Sequence, residues 1–346
     1  MRIINKRGFI NTALLLLFFL PVDGNKCVFA DEAGRKEKSK KLNIAVEFTN
    51  HAACFYVARE KGWFKKAGLD LAPHKSYITG LALSAALVRG DIDAAYICII
   101  PAINAFSNGK VPLRVVCGTH KYGYSLLVNP DKVKKISDLE KTDIRIGCSR
   151  QGSPPDALVH KMIEKYKLNQ RKMLNRLRRM PSPKILLGLK MGQLDAGFCC
   201  EQFPTLGEES GLKVLISAQD LWPGMQGSVL VVKEALIKNH PDIVKKLVKI
   251  TKISIEHLTN HPENCAPIVA KYLSIAKGKI FPIKLKKDVF GLTITPDVIL
   301  KSLIRRLPCT ACIDNEAVQE SIDYLSKLGY IKPFKAEKMV EFSFLE

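Results

Sequence analysis

The chain has 346 residues, and its 54 lysines and arginines outnumber its 33 acidic residues to give a formal net charge of +21. The excess is dispersed over the basic stretches 35–41, 132–135, 171–179 and 277–287. These stretches contain a single aromatic residue, Phe281, and no recognition motif, which argues against nucleic acid as a partner. The charge instead favours either a cationic surface or an anionic ligand.

The first 30 residues have the pattern of a secretory signal peptide. Basic residues precede an apolar core over 13–20, and small residues at Val28 and Ala30 indicate cleavage before Asp31. The core is shorter than the roughly 20 residues of a membrane-spanning helix, so a retained anchor is the weaker alternative. Cys27 lies in a poor context for lipid attachment. We expect a polar leader over 31–41 and a periplasmic or otherwise extracytoplasmic protein.

Strands and helices alternate along the remaining chain, which favours an α/β fold with parallel or mixed sheets. Strands are predicted at 43–48, 68–71, 94–99, 113–117, 125–128, 145–148, 213–216 and 228–232, and helices at 54–61, 80–89, 156–166 and 314–328.

One unit of helix, glycine and strand occurs twice, at 83–98 and 185–200. Five positions coincide at an offset of 102 residues: Leu87/Leu189, Gly90/Gly192, Asp93/Asp195, Ala94/Ala196 and Cys98/Cys200. The duplication predicts two similar α/β lobes. We assign the two aspartates to turns rather than to chemistry.

Residues 58–70 resemble the "A-x-x-x-G-F/W-F-x-x-x-G-L-D" opening of type II periplasmic solute-binding proteins, in the subgroup of nitrate, sulfonate, taurine and thiamine-precursor importers. Residues 90–94 and 192–196 match the "G-x-x-D-A" segment, and 137–147 resembles the "D-L-K-G-K-x-I-G" stretch. The resemblance covers about 42–275.

This resemblance implies two lobes around a ligand cleft and a membrane transporter as the partner. We predict lobe 1 from residues 42–122 and 229–346, and lobe 2 from 123–228, with strands 125–128 and 228–232 crossing between them. The partners would be a small-molecule ligand and ABC transporter permease subunits. We expect a monomer without a cofactor.

Candidate ligand contacts are the residues that follow strands, because ligands of open α/β sheets bind beyond the carboxyl ends of strands. We predict contacts from Asn50, His51, Tyr77, Thr79, Gly80, Cys98, Cys117, Gly118, Thr119, Gln151, Gly152, Ser153, Cys200 and Glu201. The loop 149–153 precedes a helix whose N-terminal N–H groups can bind an oxyanion. Glu201 can instead bind an amine, as in a zwitterion.

Nine cysteines follow Ala30, and several of them end strands. We expect Cys98, Cys117, Cys148 and Cys200 to approach one cleft from both lobes. Such thiols can be buried apolar groups, soft-metal ligands or disulfide partners, and a metal site is the minor alternative. Cys309 and Cys312 form an isolated CxxC pair, for which a local disulfide or an inert pair is expected.

The sequence therefore predicts a solute-binding protein that captures a small anionic ligand, of the nitrate, sulfonate or taurine type, and delivers it to an ABC importer. Serine-nucleophile and phosphate-loop motifs are absent from the sequence, which argues against an enzyme. The alternatives are a thiamine-precursor (pyrimidine) binding protein, a pyrimidine-synthase-like enzyme and a thiol- or metal-dependent sensor. The enzyme branch of the family uses iron and a cysteine-rich motif, to which Cys199 and Cys200 are only superficially similar.

Overall fold

The structure is a computed structural model that describes residues 41–275 and 292–345. The predicted signal peptide, nearly all of the polar leader, Cys27 and the basic stretch at 277–287 lie outside these residues. Within the described ranges, no helix combines the length and the hydropathy that a membrane span requires.

The described residues form ten strands and a set of helices around them. The strands are β1 (Ile44–Glu47), β2 (Lys75–Tyr77), β3 (Ala94–Cys98), β4 (Leu113–Lys121), β5 (Tyr124–Val128), β6 (Ile146–Cys148), β7 (Leu177–Arg179), β8 (Ala196–Cys200), β9 (Lys213–Ser217) and β10 (Gln226–Lys233). The helices are α1 (Ala53–Glu60), α2 (Trp63–Lys66), α3 (Gly80–Val88), α4 (Ile99–Ser107), α5 (Pro154–Tyr166), α6 (Gln170–Asn175), α7 (Ser182–Lys190), α8 (Phe203–Glu209), α9 (Ala218–Leu221), α10 (Glu234–Asn239), α11 (Pro241–Asn260), α12 (Pro262–Ile275), α13 (Pro296–Arg306) and α14 (Asn315–Lys327). Short 3-10 helices lie at Asn50–Ala52, Ile136–Glu140 and Ala336–Lys338.

The strands form two five-stranded sheets with the same internal order. The first sheet runs β2-β1-β3-β10-β4 and the second runs β7-β6-β8-β5-β9. In each sheet the first three strands are parallel, and the fourth, β10 or β5, is antiparallel to both of its neighbours. The predicted two-lobed α/β fold with two crossing connections is confirmed.

The two connections between the sheets lie against each other. Tyr122 and Gly123 lead directly from β4 to β5, and both have positive φ angles, of 58° and 89°. The return connection runs through α9 to β10. The Tyr122 hydroxyl donates to the carbonyl oxygen of Pro223 in that return connection, at 2.8 Å. One hydrogen bond thus ties the two crossing points of the chain together.

The duplication seen in the sequence is also present in the hydrogen bonds. The carboxylate of Asp93 accepts from the backbone N–H of Asn43, at 2.9 Å, just before β1 begins. The carboxylate of Asp195 accepts from the backbone N–H of Arg145, at 2.9 Å, just before β6 begins. Both pairs are separated by 50 residues in the chain. The aspartates therefore fix the starts of equivalent strands.

Two glycines end the helices of the duplicated units. Gly90 follows α3 with a φ of 95°, and Gly192 follows α7 with a φ of 65°. A residue with a Cβ is strained in this left-handed region, which explains why glycine closes both helices.

Apolar side chains cover both faces of the sheets. Ile97 and Leu126 belong to one buried cluster, whereas their chain neighbours Tyr96 and Leu127 belong to another. Adjacent residues of a strand point to opposite faces, so β3 and β5 are buried on both sides. This burial fits the continuous apolar runs from which these strands were predicted.

The second strand was predicted to start at 68–71, and it starts later. Leu71 makes only an isolated bridge to Leu42, and the edge strand that pairs with β1 lies at Lys75–Tyr77. This strand is largely exposed at the edge of the first sheet, so its sequence lacks the apolar pattern by which buried strands are detected.

Candidate functional site

The most unusual polar cluster of the described residues lies at the carboxyl ends of β1 and β3. Glu47 is the last residue of β1, Cys98 is the last residue of β3, and His51 follows in the 3-10 turn after β1. The Thr49 hydroxyl accepts from the N–H of His51 at 3.3 Å and so caps this turn. Glu47, His51 and Cys98 are all buried. Two parallel strands and one short turn therefore bring a carboxyl, an imidazole and a thiol together.

The Cys98 sulfur is surrounded by four polar groups. It lies 3.3 Å from His51 Nδ1 and 3.3 Å from Glu47 Oε2. Tyr124 Oη lies at 2.6 Å and Ser228 Oγ at 3.2 Å. Burial, together with the nearby carboxyl of Glu47, raises the pKa of this thiol. Tyr124 belongs to the second sheet, so the cluster spans the junction of the two sheets.

The hydrogen bonds of His51 determine its tautomer. Its Nε2 lies 3.0 Å from the carbonyl oxygen of Gly123, and because a carbonyl oxygen only accepts, Nε2 carries the proton. Burial, and next the ring of His120 at 4.5 Å, lower the pKa of His51 well below its ordinary value. The neutral ring therefore presents the lone pair of Nδ1 to Cys98 and Glu47.

Glu47 is held in an apolar environment. Burial raises its pKa to about 7, while the N–H of Cys98, which donates to Oε1 at 2.8 Å, opposes the rise. Gly80, the first residue of α3, lies directly against this carboxyl, and a Cβ at that position would overlap Glu47 Oε1. The absence of a side chain at residue 80 is therefore a requirement of the cluster.

A second buried network connects the first turn to the loop after β8. The N–H of Asn50 donates to Gln202 Oε1 at 2.9 Å, and Asn50 Nδ2 donates to the Ser302 hydroxyl at 2.7 Å. The hydroxyls of Ser302 and Thr205 both donate to Glu201 Oε2, at 2.8 and 2.9 Å. The turn after β1, the loop after β8, and helices α8 and α13 thus share one hydrogen-bonded network.

Glu201 is fully buried, and burial raises the pKa of its carboxyl. Arg306 Nη1 lies 3.6 Å from Glu201 Oε1 and opposes this rise, while Nη2 of the same guanidinium pairs with Glu208 at 2.6 Å. The charge of Arg306 is therefore compensated by protein carboxylates.

Several buried polar atoms at the junction of the sheets have no hydrogen-bond partner. Eleven such side-chain atoms occur among the described residues, and eight of them belong to the strands and loops where the sheets meet. The eight are Asn50 Oδ1, Thr119 Oγ1, His120 Nε2, Ser125 Oγ, Glu201 Oε1, Gln202 Nε2, Trp222 Nε1 and Gln226 Oε1. Because buried polar groups are normally hydrogen-bonded, this concentration indicates a place for a polar ligand.

The N-terminus of α5 was predicted to offer free N–H groups to a ligand, and this prediction is wrong at Gly152. The Gly152 N–H donates to Asp156 Oδ2 at 3.0 Å, and Ser153 caps the helix by accepting from the N–H of Asp156. Arg179 Nη1 and the Tyr330 hydroxyl donate to the same buried carboxylate, at 2.5 and 2.7 Å. A carboxylate of the chain itself therefore occupies the anion position.

The four strand-end thiols do not form one cluster. Cys98 joins Glu47 and His51, whereas the Cys200 sulfur lies 3.3 Å from the Ser182 hydroxyl. Cys117 belongs to the opposite apolar face, with its sulfur 3.8 Å from the carbonyl oxygen of Ala311. Cys148 lies near Asp156 and Arg179. The described cysteines, including Cys309 and Cys312, are all free thiols, so of the two alternatives for this pair the disulfide is not formed.

The remaining predicted contacts lie in three places. Tyr77 ends β2 and packs on the core, and the Thr79 hydroxyl caps α3 by accepting from Ala82 N–H. Gly118 packs against the segment 309–312, where a Cβ would lie 2.8 Å from the carbonyl oxygen of Thr310. Thr119 is buried beside this segment, and Gln151 is exposed.

Three functional candidates escaped the sequence prediction: Glu47, Tyr124 and Ser228. Glu47 had a detectable signal, since it is the one charged residue in the apolar stretch 44–48. The other two are polar residues in buried strands, and nothing in their local sequence separates them from structural residues.

A groove of about 810 Å³ lies elsewhere, beside α11. Its lining includes Lys245, Lys249, Lys252 and Phe344 but none of the residues of the buried polar cluster. Because it is an open surface groove without convergent buried polar groups, we place the candidate site at the sheet junction.

Comparison with known proteins gives a consistent set of relatives. Residues 35–274 match the sequence model of the NMT1-like family. A Brucella abortus protein named as a candidate binding protein is 24% identical over 234 residues, covering 65% of this chain and 68% of that protein.

Solved structures share the fold at low sequence identity. The alkanesulfonate-binding protein SsuA from Xanthomonas axonopodis pv. citri, bound to MOPS, has a TM-score of 0.70 at 16% identity, covering 88% of this chain and 98% of that chain. The nitrate-binding protein NrtA from Synechocystis PCC 6803 has a TM-score of 0.68 at 13% identity, covering 88% and 87%. A ligand-binding component of an ABC-type import system from Staphylococcus aureus, solved with zinc bound, has a TM-score of 0.68 at 18% identity, covering 88% and 97%. These neighbours are binding proteins rather than enzymes.

Proposed function

Because this chain belongs to the NMT1-like family, we propose that it is an extracytoplasmic solute-binding protein that delivers one small polar ligand to an ABC importer. The ligand binds between two lobes, formed by residues 42–122 with 229–346 and by residues 123–228. The ABC-type binding components among the structural neighbours support this role.

The observation that carries the proposal is the set of unpaired polar atoms at the sheet junction. Each of these atoms can be assigned as a donor or an acceptor where the other polar atom of the same side chain is held by a hydrogen bond. Asn50 and Gln226 use their amide nitrogens as donors, which leaves their carbonyl oxygens open as acceptors. His120 Nδ1 donates to the carbonyl oxygen of Lys121, so its unpaired Nε2 is also an acceptor in the neutral ring.

Acceptors therefore dominate this set. With Glu201 Oε1, which accepts no hydrogen bond although Arg306 Nη1 lies 3.6 Å away, there are four acceptors, against two clear donors on Gln202 and Trp222 and two hydroxyls that can act either way. Such a site complements a ligand that carries N–H or O–H groups. A taurine-like aminosulfonate combines an amine with the anionic group of the ligands of the sulfonate- and nitrate-binding neighbours. Bare nitrate supplies no donor, and we place it below an amine-bearing solute.

Mass spectrometry of the small molecules that accompany the purified protein tests this proposal directly. We expect an amine- or hydroxyl-bearing solute that then binds the emptied protein in calorimetry. Taurine, an alkanesulfonate without an amine, nitrate and an aminopyrimidine form the comparison set. Saturable binding of the aminopyrimidine alone would favour the thiamine-precursor role, and binding of nitrate alone would contradict the assignment of acceptors.

A matched pair of variants tests the position of the ligand. Glu201→Gln replaces a carboxylate oxygen that accepts no hydrogen bond by an N–H₂ donor without changing size, so affinity for an amine-bearing ligand falls by about ten- to a hundredfold. Glu208→Gln removes a carboxylate that pairs with the same Arg306 but contributes none of the unpaired buried atoms. Equal effects of the two variants would move the ligand away from Glu201.

A further inference from the structure

We propose that Glu47, His51 and Cys98 form a binding site for one thiophilic divalent cation of the Zn²⁺ type. The site goes beyond the proposed solute role and does not depend on it. Each of the three residues offers one ligand atom, and these atoms all lie within 4.8 Å of one another. Thiolate, imidazole and carboxylate are the ligand types that Zn²⁺ uses in proteins.

The spacing of the ligand atoms is close to that of a tetrahedral zinc site. Zn–S bonds of about 2.3 Å and Zn–N or Zn–O bonds of about 2.1 Å, at tetrahedral angles, separate the sulfur from each other ligand atom by about 3.5 Å. In this structure the Cys98 sulfur lies 3.3 Å from both His51 Nδ1 and Glu47 Oε2. The two distances from the sulfur therefore need to change by only a few tenths of an ångström, and the nitrogen and the carboxyl oxygen lie within 4.8 Å of each other.

When Glu47 is ionised, the protons of these side chains cannot supply a donor to every lone pair of the cluster. The Tyr124 hydroxyl can donate to the Cys98 sulfur, and the thiol donates to Glu47 Oε2, which leaves the lone pair of His51 Nδ1 facing the sulfur without a donor. The single thiol proton can reach either the imidazole or the carboxylate, and not both. A divalent cation placed among the three atoms satisfies all of them at once.

The surroundings also have the features of an outer coordination shell. Metal-binding histidines usually donate their other ring N–H to a carbonyl or carboxylate, which orients the ring. His51 does so through Nε2 to Gly123, and a Cβ on Gly123 would lie 2.7 Å from that nitrogen. Tyr124 and Ser228 are placed to donate to the sulfur. Since three protein ligands leave one position of a tetrahedron open, water or a solute can complete the site.

The cation would also link the two sheets. Glu47 and Cys98 belong to the first sheet, whereas Tyr124 starts β5 of the second and Gly123 lies in the connection between them. Metal bound to the first sheet would thus be supported by groups whose positions depend on how the sheets meet.

Titration with Co²⁺ tests the site in the full protein without any solute. Reduced, chelator-treated protein should bind one Co²⁺ per chain, with a thiolate-to-cobalt charge-transfer band and the visible bands of a tetrahedral ion, and Zn²⁺ should displace it. A wild-type protein that shows no saturable binding, or a cobalt spectrum without a sulfur band, would overturn the proposal. Because this readout uses wild-type protein, misfolding of a variant cannot obscure it.

Variants then locate the metal. Cys98→Ser removes a direct ligand, so Zn²⁺ affinity should fall by more than the roughly ten- to hundredfold cost of losing an outer partner. Tyr124→Phe should show that smaller cost. Cys117→Ser, which changes a buried thiol on the opposite apolar face, should leave the affinity unchanged. Retained affinity in Cys98→Ser, with loss in a Cys309→Ser/Cys312→Ser variant, would assign the metal to the CxxC pair and refute the site. These outcomes concern metal alone, so failure here leaves the solute proposal standing.

Discussion

The duplicated aspartates provide a matched experiment on stability. Asp195 accepts three N–H groups of Arg145: the backbone N–H at 2.9 Å, Nε at 2.8 Å and Nη2 at 2.9 Å. Asp93 accepts the backbone N–H of Asn43 at 2.9 Å and its Nδ2 at 3.2 Å. An Asp→Asn change at either position keeps the shape but removes the charge and one acceptor oxygen. Because only Asp195 faces a guanidinium, the two substitutions should lower the free energy of unfolding by different amounts.

The magnitude follows from these contacts. A hydrogen bond to a charged group contributes about 1.5–3 kcal/mol, and a neutral one about 1 kcal/mol. Asp195→Asn loses the paired contact with the guanidinium. Because the Arg145 side chain is 37% exposed, hydrogen bonds to water replace part of what is lost. We therefore expect a loss of about 1.5–3 kcal/mol in the free energy of unfolding for Asp195→Asn. Asp93→Asn should lose about 1 kcal/mol.

Urea-induced unfolding at several pH values measures both losses. The hydrogen bonds and charge of Arg145 lower the pKa of Asp195 below its ordinary value. Stability from such a group is present above the unfolded pKa of about 3.9 and is lost as the pH falls through the folded pKa. The gap between wild type and Asp195→Asn should therefore shrink below about pH 4. A gap that does not change with acid, or an Asp93→Asn loss that equals or exceeds it, would refute this explanation.

Three further substitutions probe the junction of the sheets, each followed by urea or thermal unfolding. Arg306→Met leaves the buried carboxyl of Glu201 without its cation and should cost about 3 kcal/mol of stability near neutral pH. Because burial raises the pKa of Glu201, the loss should be smaller near pH 4. Equal losses at both pH values would contradict this prediction. Tyr330→Phe removes the hydroxyl that donates to Asp156 at 2.7 Å and should cost about 1–2 kcal/mol. An unchanged unfolding midpoint would show that this hydrogen bond does not contribute to stability. Gly118→Ala places a Cβ against the carbonyl oxygens of both Cys312 and Thr310 and should cost about 1–3 kcal/mol through overpacking, whereas a stabilised variant would mean that these contacts relax freely.

The sequence predicts this fold well where its patterns are local and repeated. The strand predicted at 94–99 is found at Ala94–Cys98, and the duplicated unit gives the matching β8. Edge strands are different. Neither β2 nor β7 is buried on both faces, and β7 consists of Leu177 and two arginines, so no hydrophobic pattern marks it.

The candidate site was only partly predictable, for physical reasons that differ between residues. His51 and Cys98 follow strands, and the rule that ligands bind beyond strand ends identified them. Glu47 becomes important only because β1 and β3 pair in parallel register, which one sequence does not reveal. The loop at Ser153 was misjudged because a serine followed three residues later by an acidic residue is itself a helix-capping pattern.

The strand order also determines which of the two sheets can form first. All five strands of the second sheet lie within residues 124–217, so that sheet can assemble from one continuous stretch. The first sheet cannot, because β10 lies between β3 and β4 and begins at Gln226, long after β4 ends at Lys121. At synthesis rates of about 5–20 residues per second, β3 and β4 wait roughly 5 to 20 seconds for their central partner. During that interval two apolar strands expose unpaired edges, which are templates for aggregation. The first sheet is therefore complete only when the chain is available up to Lys233, the last residue of β10.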